Sequence, residues 1–289
     1  MDKKILIFGG SGFIGTYLCK ELIVNGFKVT VADIVKPKIS VDFISCDIQN
    51  PTEIKKCFSN SFDYVFNMAG IANLEIANEN PINAFNLNVV SNMYIIEQCV
   101  KNKVKRFLFA SSAYAMSQKG SFYGITKLTS EKLIEEYSMK YGLRYTIIRY
   151  GSVYSENNFN NNYIFDLVSN ALKNSEIIHL GDGNEFREYI HAEDAAKLSV
   201  NIINSNDYIN RHLILTGSQK IKRIDLFNMI NEILGGKVKI TLNNKLNTDH
   251  YKYSPYSFST VKAVKLTPNP QIDLGQGIIE CLKNANNKD

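Results

Sequence analysis

The feature that most narrows the fold is a short apolar run, Lys4-Ile5-Leu6-Ile7-Phe8, that passes directly into Gly9-Gly10-Ser11-Gly12-Phe13-Ile14-Gly15. Residues 13–25 then carry apolar side chains at helical spacing, and Gly26 follows as a stop signal. Strand, glycine turn and helix in this order make a phosphate-binding β-α unit. Gly9 allows the tight turn, Gly12 lets backbone approach a pyrophosphate, and Gly15 lets helix and strand pack closely. The helix N-terminus offers free N–H groups and the positive end of its dipole. A second strand, residues 28–32, ends at Asp33, 18 residues after Gly15. An acid there accepts hydrogen bonds from the adenosine ribose hydroxyls and repels a 2′-phosphate. The pattern predicts a dinucleotide site that favours NAD, while Lys36 and Lys38 nearby keep NADP open.

Further runs at 62–68, 105–110 and 144–149 read as strands, with long helices at 83–101 and 124–141 between them. Strands alternating with helices imply parallel crossovers, hence an α/β fold with a Rossmann-type doubly wound parallel sheet. After about residue 150 the alternation loosens. Residues 156–163, rich in asparagine, read as a loop over the sheet, followed by a helix at 193–204, a strand at 212–215 and a helix at 223–234. The expected division is a dinucleotide-binding domain over 1–153, to which 190–217 returns, and a smaller mixed C-terminal substrate lobe from 154–189 and 218–289.

Composition excludes several alternatives. With 289 residues, 45% of them hydrophobic, the chain can bury a full core. The net charge of +5 comes from dispersed lysines without a basic block, so no nucleic-acid partner is expected. Five cysteines, an odd number with no zinc-like or disulfide-like spacing, point to a reducing compartment and no bound metal. No run approaches the roughly 18 apolar residues of a membrane span, and residues 1–5 lead straight into a strand without an apolar signal region. A cytoplasmic protein with no membrane partner is the expectation.

A second group of residues carries chemistry. Tyr123 and Lys127, in Tyr123-Gly124-Ile125-Thr126-Lys127, are four apart and share a helix face. Ser112 follows the strand at 105–110, where the end of a parallel strand meets the ligand crevice. Oxidising a secondary alcohol on a nicotinamide needs a base for the hydroxyl proton. A phenol with a pKa near ~10 serves only if positive charge nearby favours its phenolate. Singly these residues would be a half-buried aromatic, a surface charge and a strand-end hydroxyl. Together, downstream of the glycine turn, they read as a catalytic trio.

With these motifs the chain resembles the extended short-chain dehydrogenase/reductase family, in its nucleotide-sugar epimerase/dehydratase branch, over nearly its whole length. GGSGFIG, Asp33 and Asp47 match the cofactor half, and the resemblance implies that Asp47 lies against the adenine. Asn67-Met68-Ala69-Gly70 is similar to the segment beside the cofactor, with Asn67 in place of a frequent histidine, and Asn88 matches an asparagine in the helix behind the nicotinamide. The resemblance also implies cofactor contacts from Ser11, Phe13, Ile14, Ile48, Met68, Ala69, Gly70, Ala110, Ser111, Tyr123, Lys127, Tyr150 and Val153. Residues 181–196, GDGNEFREYIHAEDAA, resemble the segment whose arginine, here Arg187, meets the substrate diphosphate. A surface ion pair of Arg187 with Glu185 or Glu188 is the plainer alternative.

Departures from the family pattern bear on substrate and reaction. Gly151-Ser152 stands where many members have Phe-Asn, so Ser152 replaces a substrate-touching asparagine, and Ser112 is expected to touch substrate as well. Ten residues separate Ser112 from Tyr123, a shorter loop than in many relatives. Ala113-Tyr114 follows Ser112 where 4,6-dehydratases carry Asp-Glu, which argues against dehydration. The expected activity is NAD-dependent C4 epimerisation of a nucleotide sugar. A one-way C4 dehydrogenase or 4-keto reductase is the alternative, and a retired dinucleotide-binding regulator ranks below both. The resemblance implies a homodimer through the helices at 83–101 and 124–141. The tyrosine-rich segment 250–256 reads equally as a pocket wall or a surface loop.

Overall fold

The computed structural model describes residues 3–117, 119–160, 162–243, 252 and 263–286. The chain opens with β1 (Lys4–Phe8), α1 (Phe13–Val24), β2 (Lys28–Asp33) and β3 (Asp42–Ser45). Next comes α2 (Pro51–Cys57), which starts with proline and is capped by the Asn50 side chain accepting from the Thr52 amide. β4 (Tyr64–Asn67), α3 (Leu74–Glu79) and α4 (Pro81–Phe85) follow. A π-helical turn, Asn86–Val90, then leads into α5 (Ser91–Lys101). The single helix expected at 83–101 is therefore three joined pieces, because the wider turn at Asn86–Val90 re-aims the chain without ending it.

β5 (Arg106–Ser112), a 3₁₀ turn at Ala113–Met116, α6 (Ser121–Tyr141) and β6 (Tyr145–Tyr150) come next. The rest of the chain comprises β7 (Ser152–Tyr154), α7 (Tyr163–Asn174), β8 (Glu176–Leu180), β9 (Phe186–Arg187), β10 (Tyr189–His191), α8 (Ala192–Asn204), β11 (Arg211–Leu215), β12 (Ile221–Lys222), α9 (Arg223–Ile233), β13 (Lys239–Asn243), β14 (Ala263–Leu266) and α10 (Leu274–Asn286).

Eight strands form one parallel sheet in the order β14-β11-β6-β5-β4-β1-β2-β3. It is the doubly wound α/β sheet the sequence predicts, and its order reverses between β1 and β4. Strand alternation sends Ile5 and Ile7 to one face, against Leu18 and Leu22 of α1 and Val200 of α8. Leu6 and Phe8 go to the other, against Ile54 of α2, Ile95 and Ile96 of α5 and Ile134 of α6. A third core gathers Ile164, Phe165 and Val168 of α7, Leu226 and Phe227 of α9, and Ile278 and Cys281 of α10. β8 pairs with β13 beside this core, and β9 pairs antiparallel with β12. β14, from a segment expected in the lobe, hydrogen-bonds to β11 and extends the main sheet. The crevice at the β1/β4 reversal, roofed by the third cluster, is where such a sheet takes a ligand.

Candidate active site

The glycine turn is close-packed for a backbone reason. Gly9 has φ of 77°, and a Cβ there would lie 2.5 Å from the Ala69 nitrogen at the end of β4. A Cβ on Gly15 would lie 2.3 Å from the Gly9 carbonyl oxygen. No side chain caps α1 at Gly12, and no acid stands in its first turn. Its N-terminal amides and dipole thus open onto a cavity of about 1010 Å³ lined by Gly9, Ser11, Gly12, Phe13, Ile14 and Gly15. A bare helix start beside a turn that admits no Cβ at Gly9 or Gly15 fits a dinucleotide pyrophosphate.

Asp33 closes the turn from the end of β2. Its Oδ2 accepts from the Ser11 amide at 3.0 Å and its Oδ1 from the Val35 amide at 3.1 Å. A carboxylate has lone pairs beyond these two, so it can still accept from a ribose. Lys36 and Lys38 are exposed.

Beyond the turn, the same cavity is lined by Met68, Gly70, Ala110, Ser111, Ser112, Tyr123, Lys127, Tyr150, Ser152, Val153 and Arg187. It therefore brings together the expected catalytic trio, the candidate substrate residues and most of the expected cofactor contacts. Asp33, Asp47, Ile48, Ala69 and Asn88 are not among its lining residues. Asp47 is exposed past the end of β3, where its Oδ1 accepts from the Gln49 amide, and Ile48 is buried in the core beneath it. The Ala69 amide is taken by Asn67 Oδ1.

Asn88 is buried behind Gly70 and does not line the cavity. Its Oδ1 accepts from the Ile71 amide at 2.8 Å, and its Nδ2 donates to the Ile71 carbonyl and to Thr126 Oγ1. Thr126 Oγ1 in turn donates to the Tyr123 carbonyl. The π-helical turn thus aims Asn88 so that it ties the Gly70–Ile71 corner to the start of α6.

The trio is fixed by its elements. Ser112 ends β5, and its Oγ accepts from the Tyr114 amide at 3.3 Å. Tyr123 and Lys127 lie one turn apart on α6. The Lys127 ammonium donates to the Ala110 carbonyl at 2.9 Å and sits 6.0 Å from the centre of the Tyr123 ring. Burial pulls the Lys127 pKa down to about 8, a shift that the Glu131 carboxylate opposes.

One turn further along α6, Glu131 is fully buried and accepts from Ser111 Oγ at 2.5 Å and from Arg149 Nε and Nη2 at 2.9 and 2.6 Å. Burial alone would raise this carboxyl, but Arg149, His212 and Ser111 outweigh it and bring the pKa down to about 2. Tyr150, although it lines the cavity, shares a hydrogen bond with Ser199 at 2.8 Å.

Arg187 is buried on β9 yet lines the cavity, and its Nη1 donates to the Phe186 carbonyl at 2.7 Å. Of its candidate ion-pair partners, Glu188 lies 2.7 Å from Lys265 and Glu185 lies 3.2 Å from His179.

The structure adds wall residues that sequence reasoning passed over, among them Tyr114, Asn158, Phe159, Tyr163, Asp166, Tyr189 and Arg223. Phe159 stacks on Phe13 of the glycine turn with ring centres 5.2 Å apart, so the asparagine-rich loop reaches the phosphate site. Its place immediately after the 148–155 motif was the one available signal. The segment 250–256 lies outside the described residues except for Lys252, whose Nζ is 3.3 Å from Asp182.

Comparison with known proteins agrees with this geometry. The chain is 28% identical, over 98% of its length and 99% of the relative's, to a Methanocaldococcus jannaschii protein provisionally named UDP-glucose 4-epimerase. The fold matches that of UDP-glucuronic acid 4-epimerase from Bacillus cereus in complex with UDP-glucuronic acid and NAD, with a TM-score of 0.86 and 21% identity over 99% of this chain and 100% of that one. It also matches UDP-glucose 4-epimerase from Thermotoga maritima with UDP-glucose, with a TM-score of 0.83 and 23% identity over 99% of both chains. A family model spans residues 5–214, and the chain belongs to the NAD-dependent epimerase/dehydratase family.

Proposed function

We propose that the protein inverts the C4 hydroxyl of a nucleotide-activated sugar. One observation carries the reading: Ser112, Tyr123 and Lys127 line the same cavity as the glycine turn and Arg187. When bound, NAD supplies a hydride acceptor for the sugar C4 and, for the return step, a hydride donor. The residues proposed to hold it are the glycine turn with Ser11, Phe13 and Ile14, then Asp33, Asp47 and the Met68–Gly70 strand end.

The protein's own part is proton transfer and positioning. Tyr123, as phenolate, takes the proton of the C4 hydroxyl and returns it after the face change. Lys127 favours that phenolate. Its ammonium lies 6.0 Å from the centre of the Tyr123 ring, and a positive charge that close stabilises the phenolate over the phenol. Ser112 holds the reacting oxygen by hydrogen bond, and Arg187 anchors the diphosphate so that the 4-keto sugar turns without leaving. Ala113 and Tyr114 after Ser112 provide no carboxyl pair for removing water.

The same chemistry run one way would make a dehydrogenase or reductase. Protein purified with NAD, incubated with UDP-glucose and UDP-glucuronate, should yield the C4 epimer by proton NMR with no net change in reduced-nicotinamide absorbance. Steady accumulation of reduced cofactor would replace epimerase by dehydrogenase, and no turnover of any nucleotide sugar would defeat the proposal.

No helix among the described residues is long and apolar enough to cross a membrane. The five cysteines are buried free thiols, which supports placing the protein in a reducing cytoplasm. Exposed apolar side chains on α4 and α6 support a homodimer.

A further inference from the structure

The cavity holds one more cation than this chemistry uses. Its charged wall residues are Lys127, Arg187 and Arg223, with Glu75 and Asp166 on α3 and α7. Lys127 serves the phenol, and Arg187 has the diphosphate assigned to it. Arg223 has no part in that scheme.

Its placement is well defined. β12 pairs with β9, with Ile221 opposite Arg187, and the Arg223 amide donates to the Glu185 carbonyl at 2.9 Å. Arg223 is therefore the first residue of α9, immediately beyond the strand beside Arg187. A cation at a helix N-terminus faces the positive end of the dipole, so helix formation does not explain it.

The guanidinium lies 4.3 Å from the centre of the Tyr163 ring. Packed on a ring, a guanidinium keeps its five N–H donors in a fixed fork suited to an oxyanion. Among the described residues no carboxylate forms an ion pair with it. Glu185, the nearby acid, is engaged by His179 at 3.2 Å through both oxygens.

The surroundings also keep Arg223 charged. Burial would lower its pKa, but the phenols of Tyr189, Tyr163 and Tyr114 and the Glu185 carboxylate raise it on balance. Tyr114 lines the same cavity, and its ring meets the Tyr123 ring edge-on with centres 6.0 Å apart. Arg223 thus shares a cavity wall with Tyr114 and Tyr123 and follows the strand beside Arg187.

We infer that Arg223 is a specificity-determining residue that pairs with a carboxylate on the sugar, so that the preferred substrate is a nucleotide-linked acidic sugar such as a uronic acid. This rests on the nucleotide-sugar reading above. A second contact to the diphosphate would use the same oxyanion chemistry, and the test separates the two.

NAD-loaded full-length protein is titrated calorimetrically with UDP-glucuronate, UDP-glucose and UDP, as wild type, Arg223→Gln and Arg223→Lys, and both sugars are assayed for turnover. Wild type should bind UDP-glucuronate about 10-fold or more tighter than UDP-glucose. Arg223→Gln should erase that preference and leave the affinities for UDP-glucose and UDP unchanged, while Arg223→Lys keeps part of it. Equal loss for both sugars and UDP assigns Arg223 to the diphosphate and overturns the inference, as does a wild type without preference. The wild-type comparison stands even if a variant fails to fold. Turnover of both sugars without preference defeats this inference alone, whereas binding and turnover of neither defeats the nucleotide-sugar reading with it.

Discussion

Lys127 shows how the role proposed for it bears on the state of one side chain. It is 6% exposed, and among the described residues its one hydrogen-bond acceptor is the Ala110 carbonyl. Holding an ammonium there costs stability, and the fall in pKa from 10.5 to about 8 corresponds to about 3 kcal/mol. In sign, the folded state binds the proton more weakly than the unfolded state. The cost is therefore fully present below about pH 8 and is relieved as pH rises toward 10.5. Lys127→Met should abolish turnover yet raise the urea unfolding free energy at pH 7 by about 1–2 kcal/mol, once the lost bond to Ala110 is subtracted. That gain should shrink toward alkaline pH, and a variant destabilised at pH 7 would refute the account. Tyr123→Phe, which removes only the hydroxyl, should lower kcat by about 10²–10⁴-fold with little change in substrate KM. These residues were legible in the sequence because α6 places them at a fixed spacing after a strand end. Arg223 and Tyr163 were not, because they come from separate segments that meet only when α7 and α9 gather with α10 in the third core.

At the scale of elements, α6 does more than carry the proposed base. Tyr123, Lys127 and Glu131 follow one another at four-residue steps, and Glu131 ties the helix to β6 through Arg149 and to β5 through Ser111. The carboxylate is buried and its pKa is held near 2 against an ordinary 4.5. Its contribution, about 3 kcal/mol, is present above pH 4.5 and is lost as pH falls toward 2. Glu131→Gln should cost about 3–5 kcal/mol at pH 7, because Arg149 would remain a buried cation without its carboxylate. The variant should also lack the part of the acid-induced loss between pH 4.5 and 2 that Glu131 carries, leaving the part from other carboxylates such as Asp63 and Glu156. Denaturant melts across that range measure both, and an unchanged acid transition would rule out the assignment. The helix expected at 124–141 matches α6 except for its first three residues, since α6 starts at Ser121. Periodicity could not reveal the π-helical turn at Asn86–Val90, since one wide turn leaves the apolar pattern on either side nearly intact. Yet that turn aims Asn88 at the Gly70–Ile71 corner.

On the scale of the whole molecule, the sheet can be closed off on both faces by one chain, but the outer surface of α4 and α6 is not. Ile82 and Phe85 on α4 and Phe122, Ile125 and Leu128 on α6 are all exposed, with Ile82 at 75% and Ile125 at 57%. These two helices pack against each other, so the five side chains fall on neighbouring ridges rather than scattered over the surface. Grouped apolar exposure of this kind marks an interface. A second copy of the chain is the proposed partner, and stable dimers bury about 800 Å² on each side. Such an interface would also buttress the helix that carries Tyr123 and Lys127, whose reactive ends face the opposite way, into the cavity. Sedimentation of the wild type should give twice the 32.7 kDa of one chain. Ile82→Glu combined with Ile125→Glu should give the monomer mass, with bound NAD retained because neither residue lines the cavity. A wild type that sediments at the single-chain mass at every concentration would remove the dimer and leave those side chains to another partner.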